Sequence, residues 1–167
     1  MKIREASIHD FQLLFNLLTE SEKSEARFDL TIRPSEESKR NLKRTLKREL
    51  KDKLERIYFV ADYKGKLIGF ISVYKSQSTP EVGWIGDLFV KEEFRRRGMA
   101  TKLIEKATVW LKKHRKKSIR LTVHRRNKRA RRLYKKVGFY KKPAEYFNLE
   151  KRFKESIPIQ DRKKNEV

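Results

Sequence analysis

The run Leu88-Phe89-Val90-Lys91-Glu92-Glu93-Phe94-Arg95-Arg96-Arg97-Gly98-Met99-Ala100-Thr101 constrains the fold more than any other part of the chain. An apolar strand ends at Val90. A helix opens at Gly98 and carries Ala100, Leu103, Ile104, Ala107, Trp110 and Leu111 on one face. The chain therefore passes from a buried strand, through three arginines, directly into an amphipathic helix, which calls for a sheet covered by helices. The first N–H groups of such a helix have no intrahelical acceptor, and the dipole favours an anion beside them. Gly98 and Ala100 lack bulk, so a phosphate can reach the backbone, and Arg95, Arg96 and Arg97 add donors at the rim. This predicts a pyrophosphate cradle. It is not a Walker loop, because no Gly-Lys-Ser/Thr follows, nor a dinucleotide fingerprint, which needs more glycines.

The rest of the chain supplies the sheet. Residues 2–6 predict a short strand. Ser7 and Asp10 form a capping-box pattern before Phe11, Leu14, Phe15 and Leu18, a helix that fades into a polar stretch at 19–25. Pro34-Ser35 opens a second helix striped by Leu42, Leu46, Leu50 and Leu54, read as a core seam with a coiled-coil contact as the alternative. Arg56–Tyr63, Leu67–Tyr74 and Val82–Val90 predict an antiparallel meander turning at Lys64-Gly65. Gly86 inside the third of these marks a bulge or a close backbone approach by a ligand. Ile119–Val123 predicts a further strand, Asn127 caps a short helix ended by Gly138, and Glu145–Leu149 predicts a last strand. The fold class is mixed α/β: one domain over 1–153, then a polar tail over 154–167 expected to fray.

Composition narrows the chemistry. The 167 residues hold 45 Lys+Arg against 22 Asp+Glu, a net charge of +23. Residues 91–142 carry 22 basic and 3 acidic side chains, so this third of the chain holds nearly all the excess. A partner rich in negative charge is expected there. With no cysteine, disulfides, thiolate metal sites and Cys nucleophiles are excluded. The three histidines, His9, His114 and His124, are far apart, and no metal site is expected. No apolar run is long enough to span a membrane and the N-terminus has no signal-peptide pattern, so the expected location is cytoplasmic.

Arg95-Arg96-Arg97-Gly98-Met99-Ala100 resembles motif A, Gln/Arg-x-x-Gly-x-Gly/Ala, of the GCN5-related N-acetyltransferases. Leu121-Thr122-Val123, Asn127, Ala130, Leu133-Tyr134 and Val137-Gly138-Phe139 resemble that family's motif B. The resemblance implies a central, mostly antiparallel sheet of about six or seven strands, splayed between the fourth and fifth and flanked by about four helices. It implies acetyl-CoA as donor, an amine as acceptor and direct attack in a ternary complex. Carried over, the backbone of Leu88, Phe89 and Val90 holds the pantetheine arm, and the loop from Arg95 through Met99 and Ala100 to Thr101 holds the pyrophosphate. Asn127 and Arg131 border the cofactor, and Tyr134 protonates the departing thiolate. The family also often dimerises.

The residues alone leave several roles open. Tyr134 reads either as that acid or as a core aromatic. Asp87 and Glu81 are both candidate bases acting through a water, and Asp87 reads equally as a structural partner near the bulge. His124 is expected to be a bystander. Glu20, Glu22, Glu25 and Asp29 form an acidic stretch in a basic chain. That stretch reads as an ordinary solvated loop, or, as the family's topology implies by setting it on the acceptor side, as Glu22, Glu25 and Asp29 helping to orient a cationic primary amine. Small amines, aminoglycosides, amino acids and protein N-termini all remain open as acceptors. The charge over 91–142 exceeds what one CoA needs, so the competing reading is a nucleic-acid- or ribosome-binding module.

Overall fold

Alternating apolar residues on either side of Lys64-Gly65 build the frame. In the computed structural model, which describes residues 1–29, 35–53, 56–75 and 79–141, these residues form strands β2 (Arg56–Tyr63) and β3 (Lys66–Lys75). Lys64 and Gly65 both take positive φ, 52° and 79°, and the Gly65 N–H donates to Asp62 Oδ1 at 2.9 Å. The hairpin is thus closed by a glycine at a left-handed position. Strand β1 (Lys2–Glu5) pairs antiparallel with β2, and β4 (Val82–Val90) pairs antiparallel with β3. Strand β5 (Ser118–Arg120) lies parallel to β4, giving the order β1-β2-β3-β4-β5.

Both faces of the sheet are covered. Helix α3 (Met99–Lys113) buries Met99, Leu103, Ile104, Ala107 and Leu111 against Ile57, Phe59, Ile71, Val73 and Ile85. Helices α1 (Phe11–Glu25) and α2 (Glu36–Asp52) cover the other face, where Leu14, Leu18, Leu46 and Leu50 meet Tyr58, Val60, Phe70 and Phe89. The leucine seam of α2 is therefore core within this chain; Leu54 lies outside the described residues. Ser35 caps α2 by accepting from the Ser38 N–H at 3.0 Å. Helix α4 (Lys128–Lys136) follows β5 and buries no side chain fully; Leu133, Tyr134 and Val137 pack partly against the α3 side of the core. None of the helices among the described residues is long and apolar enough to cross a membrane.

Three expectations are corrected. The sheet has five strands among the described residues rather than six or seven, and the strand expected at 145–149, like the tail, lies outside them. The fifth strand stops at Arg120 rather than Val123, because its ladder with β4 ends there. Helix α1 does not fade at Thr19 but runs to Glu25, held by buried Leu17, Leu18 and Ser21. That extra length puts Glu22 and Glu25 three residues apart on its last turn, where i and i+3 side chains are neighbours.

The start of the chain is fastened by one carboxylate. Asp10 accepts two hydrogen bonds from Arg4, each 2.8 Å, and one from the Ser7 N–H at 2.8 Å. These donors hold its pKa at about 2, below the usual 3.8, with Arg4 the main cause. A depressed carboxylate stabilises the fold fully above its unfolded pKa and loses that contribution as pH falls. Acid unfolding should therefore steepen between about pH 4 and pH 2. Asp10→Asn should remove that component, worth on the order of 2 kcal/mol at neutral pH. Equal acid midpoints for the two proteins, by circular dichroism, would count against it.

Candidate active site

The parallel ladder between β4 and β5 consists of Val82↔Ser118, Gly83↔Ile119 and Trp84↔Arg120. Beyond Trp84, β4 has no neighbour on that side among the described residues, so its last six residues border an opening. Which peptide groups face it follows from strand alternation. The Lys91 N–H donates to Ile68 O at 2.9 Å, on the β3 side. Phe89 then points its peptide groups toward β3 as well, and its carbonyl lies 2.7 Å from where a Cβ on Gly69 would stand. Leu88 and Val90 point theirs into the opening. Of the three residues expected to hold a pantetheine arm, Phe89 is turned away and its ring is core.

The cradle follows the strand. Arg96 takes φ 60° and Gly98 takes φ 73°, left-handed positions that turn the backbone sharply. The first bond into α3 runs from the Lys102 N–H to Gly98 O at 3.1 Å. The N–H groups from Arg96 to Thr101 have no acceptor among the described residues, as at other helix starts. A Cβ on Gly98 would meet nothing within 4 Å, so the space above it is open. Arg95 differs from its neighbours. Its Nε donates to Val90 O at 2.7 Å and its guanidinium lies 3.6 Å from Glu92, so it braces the turn rather than reaching outward. Arg129 of α4 stands close enough to Arg95 and Arg96 for their charges to lower its pKa, after burial, the larger cause.

A bulge re-aims Asp87. Ile71 pairs with Leu88 and Val73 with Ile85, so Gly86 and Asp87 together face Ser72. A Cβ on Gly86 would come within 2.6 Å of Ser72 Oγ. The glycine makes room for that side chain. The Ser72 hydroxyl donates to Asp87 Oδ2 at 3.0 Å, and its oxygen accepts the Asp87 N–H at 2.8 Å. Arg56 lies 3.7 Å from the same Oδ2 and 3.7 Å from Glu49, whose other oxygen accepts from Tyr58 at 2.6 Å. Sequence reading missed Arg56, Ser72, Glu49 and Tyr58. Only the polar residues amid apolar strand patterns signalled them.

Asp87 and Glu25 lie within electrostatic reach of each other and of both Glu22 and Tyr134. Burial raises the pKa of Glu22 and, more weakly, so does Asp87. Glu25 rises for the same reasons, with Glu22 adding to them, and remains exposed to water. Tyr134 is pushed up to about 12 by burial first and by Glu25 and Asp87 after it. Its ring packs edge-on against Phe139 at 5.7 Å, and its hydroxyl has no hydrogen-bond partner among the described residues. It is therefore a neutral phenol at physiological pH, able to donate its proton. Asp29 stands one turn beyond, its N–H on Glu25 O at 3.1 Å. Asn127 caps α4 by accepting from the Ala130 N–H at 3.0 Å, and Arg131 donates to Arg125 O at 3.2 Å. Glu81 is elsewhere. It precedes β4, pairs with Lys117 at 2.5 Å, and lies roughly 20 Å along the strand from Asp87. His124 stays outside the group, its Nδ1 accepting the Arg126 N–H at 3.2 Å. Among the described residues no group of His, Asp and Glu is arranged to hold a metal ion.

Comparison with known proteins agrees with this arrangement. The model of the Acetyltransferase (GNAT) family matches residues 15–139. An uncharacterized N-acetyltransferase of Methanocaldococcus jannaschii is 36% identical over 89 residues, covering 51% of this chain and 39% of that protein. One from Archaeoglobus fulgidus is 38% identical over 79 residues, covering 45% of this chain and 54% of that protein. The chain thus spans about half or less of the curated relatives it matches. The PaiA N-acetyltransferase of Thermoplasma acidophilum, solved in complex with coenzyme A, superposes with a TM-score of 0.67 at 27% identity, over 83% of this chain and 89% of that one. Strand order and family match converge: the chain belongs to the GNAT acetyltransferase family.

Proposed function

We propose that the protein transfers an acetyl group from acetyl-CoA to a cationic primary amine. One observation carries this reading. Glu22, Glu25, Asp87 and Tyr134 converge beside the free edge of β4, next to a row of unpaired N–H groups. The donor set fits the coenzyme: N–H groups from Arg96 to Thr101 and the side chains of Arg96 and Arg97 suit a pyrophosphate. Arg95 holds the turn in shape. The peptide groups of Leu88 and the N–H of Val90, whose carbonyl Arg95 holds, suit an extended amide-bearing arm, as a missing strand would. Asn127 and Arg131 border its other side. When bound, acetyl-CoA supplies an activated thioester, and the chain supplies position and proton movement.

An aliphatic ammonium has a reference pKa near 10.4 and must lose a proton before it can attack. Asp87 is the base in this reading. Its Oδ2 is anchored by Ser72 and Arg56, which leaves Oδ1 to take the proton directly or through a water. Tyr134 keeps its proton until the C–S bond breaks and then donates it to the departing thiolate; the second proton of the newly acylated nitrogen returns to the tyrosinate, and Asp87 releases its own to solvent. Glu22 and Glu25 hold the positive charge of the acceptor near Asp87. Glu81 has no part in this.

The test is thiol release from acetyl-CoA across a panel of amines. Turnover with cationic primary amines, and none with neutral hydroxyl acceptors, is the expected result; binding of acetyl-CoA without turnover of any amine would overturn it. Glu22→Gln with Glu25→Gln should raise the acceptor KM and leave acetyl-CoA binding unchanged. A carboxyl with a raised pKa ionises late, so the wild-type acceptor KM should fall as pH rises through that range. The same shift means ionisation of these groups costs the folded state, a penalty absent at low pH that appears as pH rises. The double variant should thus melt no lower than wild type at neutral pH, while binding its acceptor less well.

A further inference from the structure

Helix α4 is built against its own electrostatics. Lys128, Arg129, Arg131, Arg132, Lys135 and Lys136 are all exposed, on the side away from Leu133, Tyr134 and Val137. Lys128 and Arg132, Arg131 and Lys135, and Arg132 and Lys136 are like charges at i and i+4, which oppose helix formation. Lys128 and Arg129 sit in the first turn, where the dipole disfavours cations, and no acidic residue accompanies them. No ion pair joins any of the six to a carboxylate among the described residues. Only Arg129 leans toward the cradle. Arg131 turns back to Arg125 O, and Lys128, Arg132, Lys135 and Lys136 carry the positive surface along the helix away from it. Just beyond the helix, after Gly138, the ring of Tyr140 is 87% exposed, the most exposed large apolar side chain among the described residues.

We infer that the outer face of α4 and Tyr140 form a docking surface for single-stranded nucleic acid, phosphates along the cations and a base on the tyrosine ring. Residues three and four apart on a helix carry their Cβ atoms about 5–6 Å apart, so Lys128, Arg132, Lys135 and Lys136 can each meet a phosphate oxygen. Exposed aromatic rings serve single strands, whose bases are unstacked, and offer nothing to a closed duplex. An anionic membrane would use the same charge but not a lone tyrosine at the helix end. The surface is separate from the acceptor carboxylates and holds whether or not the acetyl transfer proposed above is correct.

The experiment titrates the full chain with a fluorescent single-stranded oligoribonucleotide, in saturating CoA so that the cradle is occupied. Expected is binding whose logarithm falls linearly with the logarithm of salt concentration. Arg132→Gln, Lys135→Gln and Lys136→Gln together should lower that slope by about 2, at about 0.7 for each lost phosphate contact. The triple variant should bind CoA as wild type does and melt no lower, since it relieves like-charge pairs. Tyr140→Ala should weaken the complex by roughly 5- to 150-fold. Displacement of the oligonucleotide by CoA would overturn the inference, because the charge would then belong to the coenzyme. So would an unchanged slope in the triple variant, equal affinity for duplex DNA, or binding to anionic phospholipid vesicles but not to the oligonucleotide.

Discussion

Tyr134→Phe should lower turnover by about 10²- to 10⁴-fold, the usual cost of losing a positioned proton donor. The fold should survive. Phenylalanine keeps the ring that packs on Phe139 at 5.7 Å, and the lost hydroxyl has no hydrogen-bond partner among the described residues. The KM for acetyl-CoA should move little, because the interaction belongs to the departing sulfur and not to the ground state. The pH profile gives a second check. A phenol with a pKa of about 12 stays protonated well above neutrality, so turnover should show no alkaline loss from this group below about pH 11. Tyr58→Phe is the contrasting control. The Tyr58 hydroxyl donates to Glu49 at 2.6 Å, so its removal takes a hydrogen bond from a largely buried carboxylate, leaving it Arg56 at 3.7 Å, and should appear as lost stability. Full activity in Tyr134→Phe would show that the tyrosine only fills space.

Gly98→Glu should abolish coenzyme binding. Wild-type protein at 100 times the dissociation constant of acetyl-CoA should gain about 2.7 kcal/mol of stability, read as a rise in melting temperature. The variant should show no rise, because a carboxylate would stand among N–H groups that would otherwise meet phosphate. A clash is not the cause, since a Cβ here meets nothing within 4 Å. A non-glycine residue at φ 73° costs about 1–2 kcal/mol in the free protein. Gly98→Ala separates the two effects: it should carry the backbone cost yet keep most of the ligand-induced rise. A wild-type rise in Gly98→Glu would mean that the phosphates bind elsewhere.

The strand–turn–helix over residues 88–101 was legible because it is local. Strand, arginines, glycine and helix are consecutive in sequence, and backbone rules turn that order into geometry directly. The meander and both helix faces were legible for the same reason, through periods of two and of 3.6. Relations set by non-local pairing were not. Gly86 announced an irregularity, but its cause is the Ser72 side chain on the neighbouring strand, 14 residues earlier in sequence. Asp87 and Glu81 looked alike along the chain; the ladder from Val82 to Val90 puts them at opposite ends, one against Ser72 and the other against Lys117. The end of α1 was misread because Thr19–Glu25 is polar. Ser21, 5% exposed, buries where composition suggests solvent, and the helix follows it.

The short ladder between β4 and β5 has a consequence for how the molecule opens. The sheet is continuous from β1 to β4, but β5 and α4 are fastened to it by three residue pairs and a few half-buried side chains. Such a segment should detach at a fraction of the free energy of global unfolding, as a unit of its own. Amide protons of Ser118 to Arg120 and of α4 should exchange with deuterium sooner than those of β2 and β3. A ligand wedged along Leu88 and Val90 would act as the absent neighbour and close that seam. Its slowing of exchange should then reach Lys128 to Lys136, and the gripping half of the molecule would become rigid only while it has something to grip.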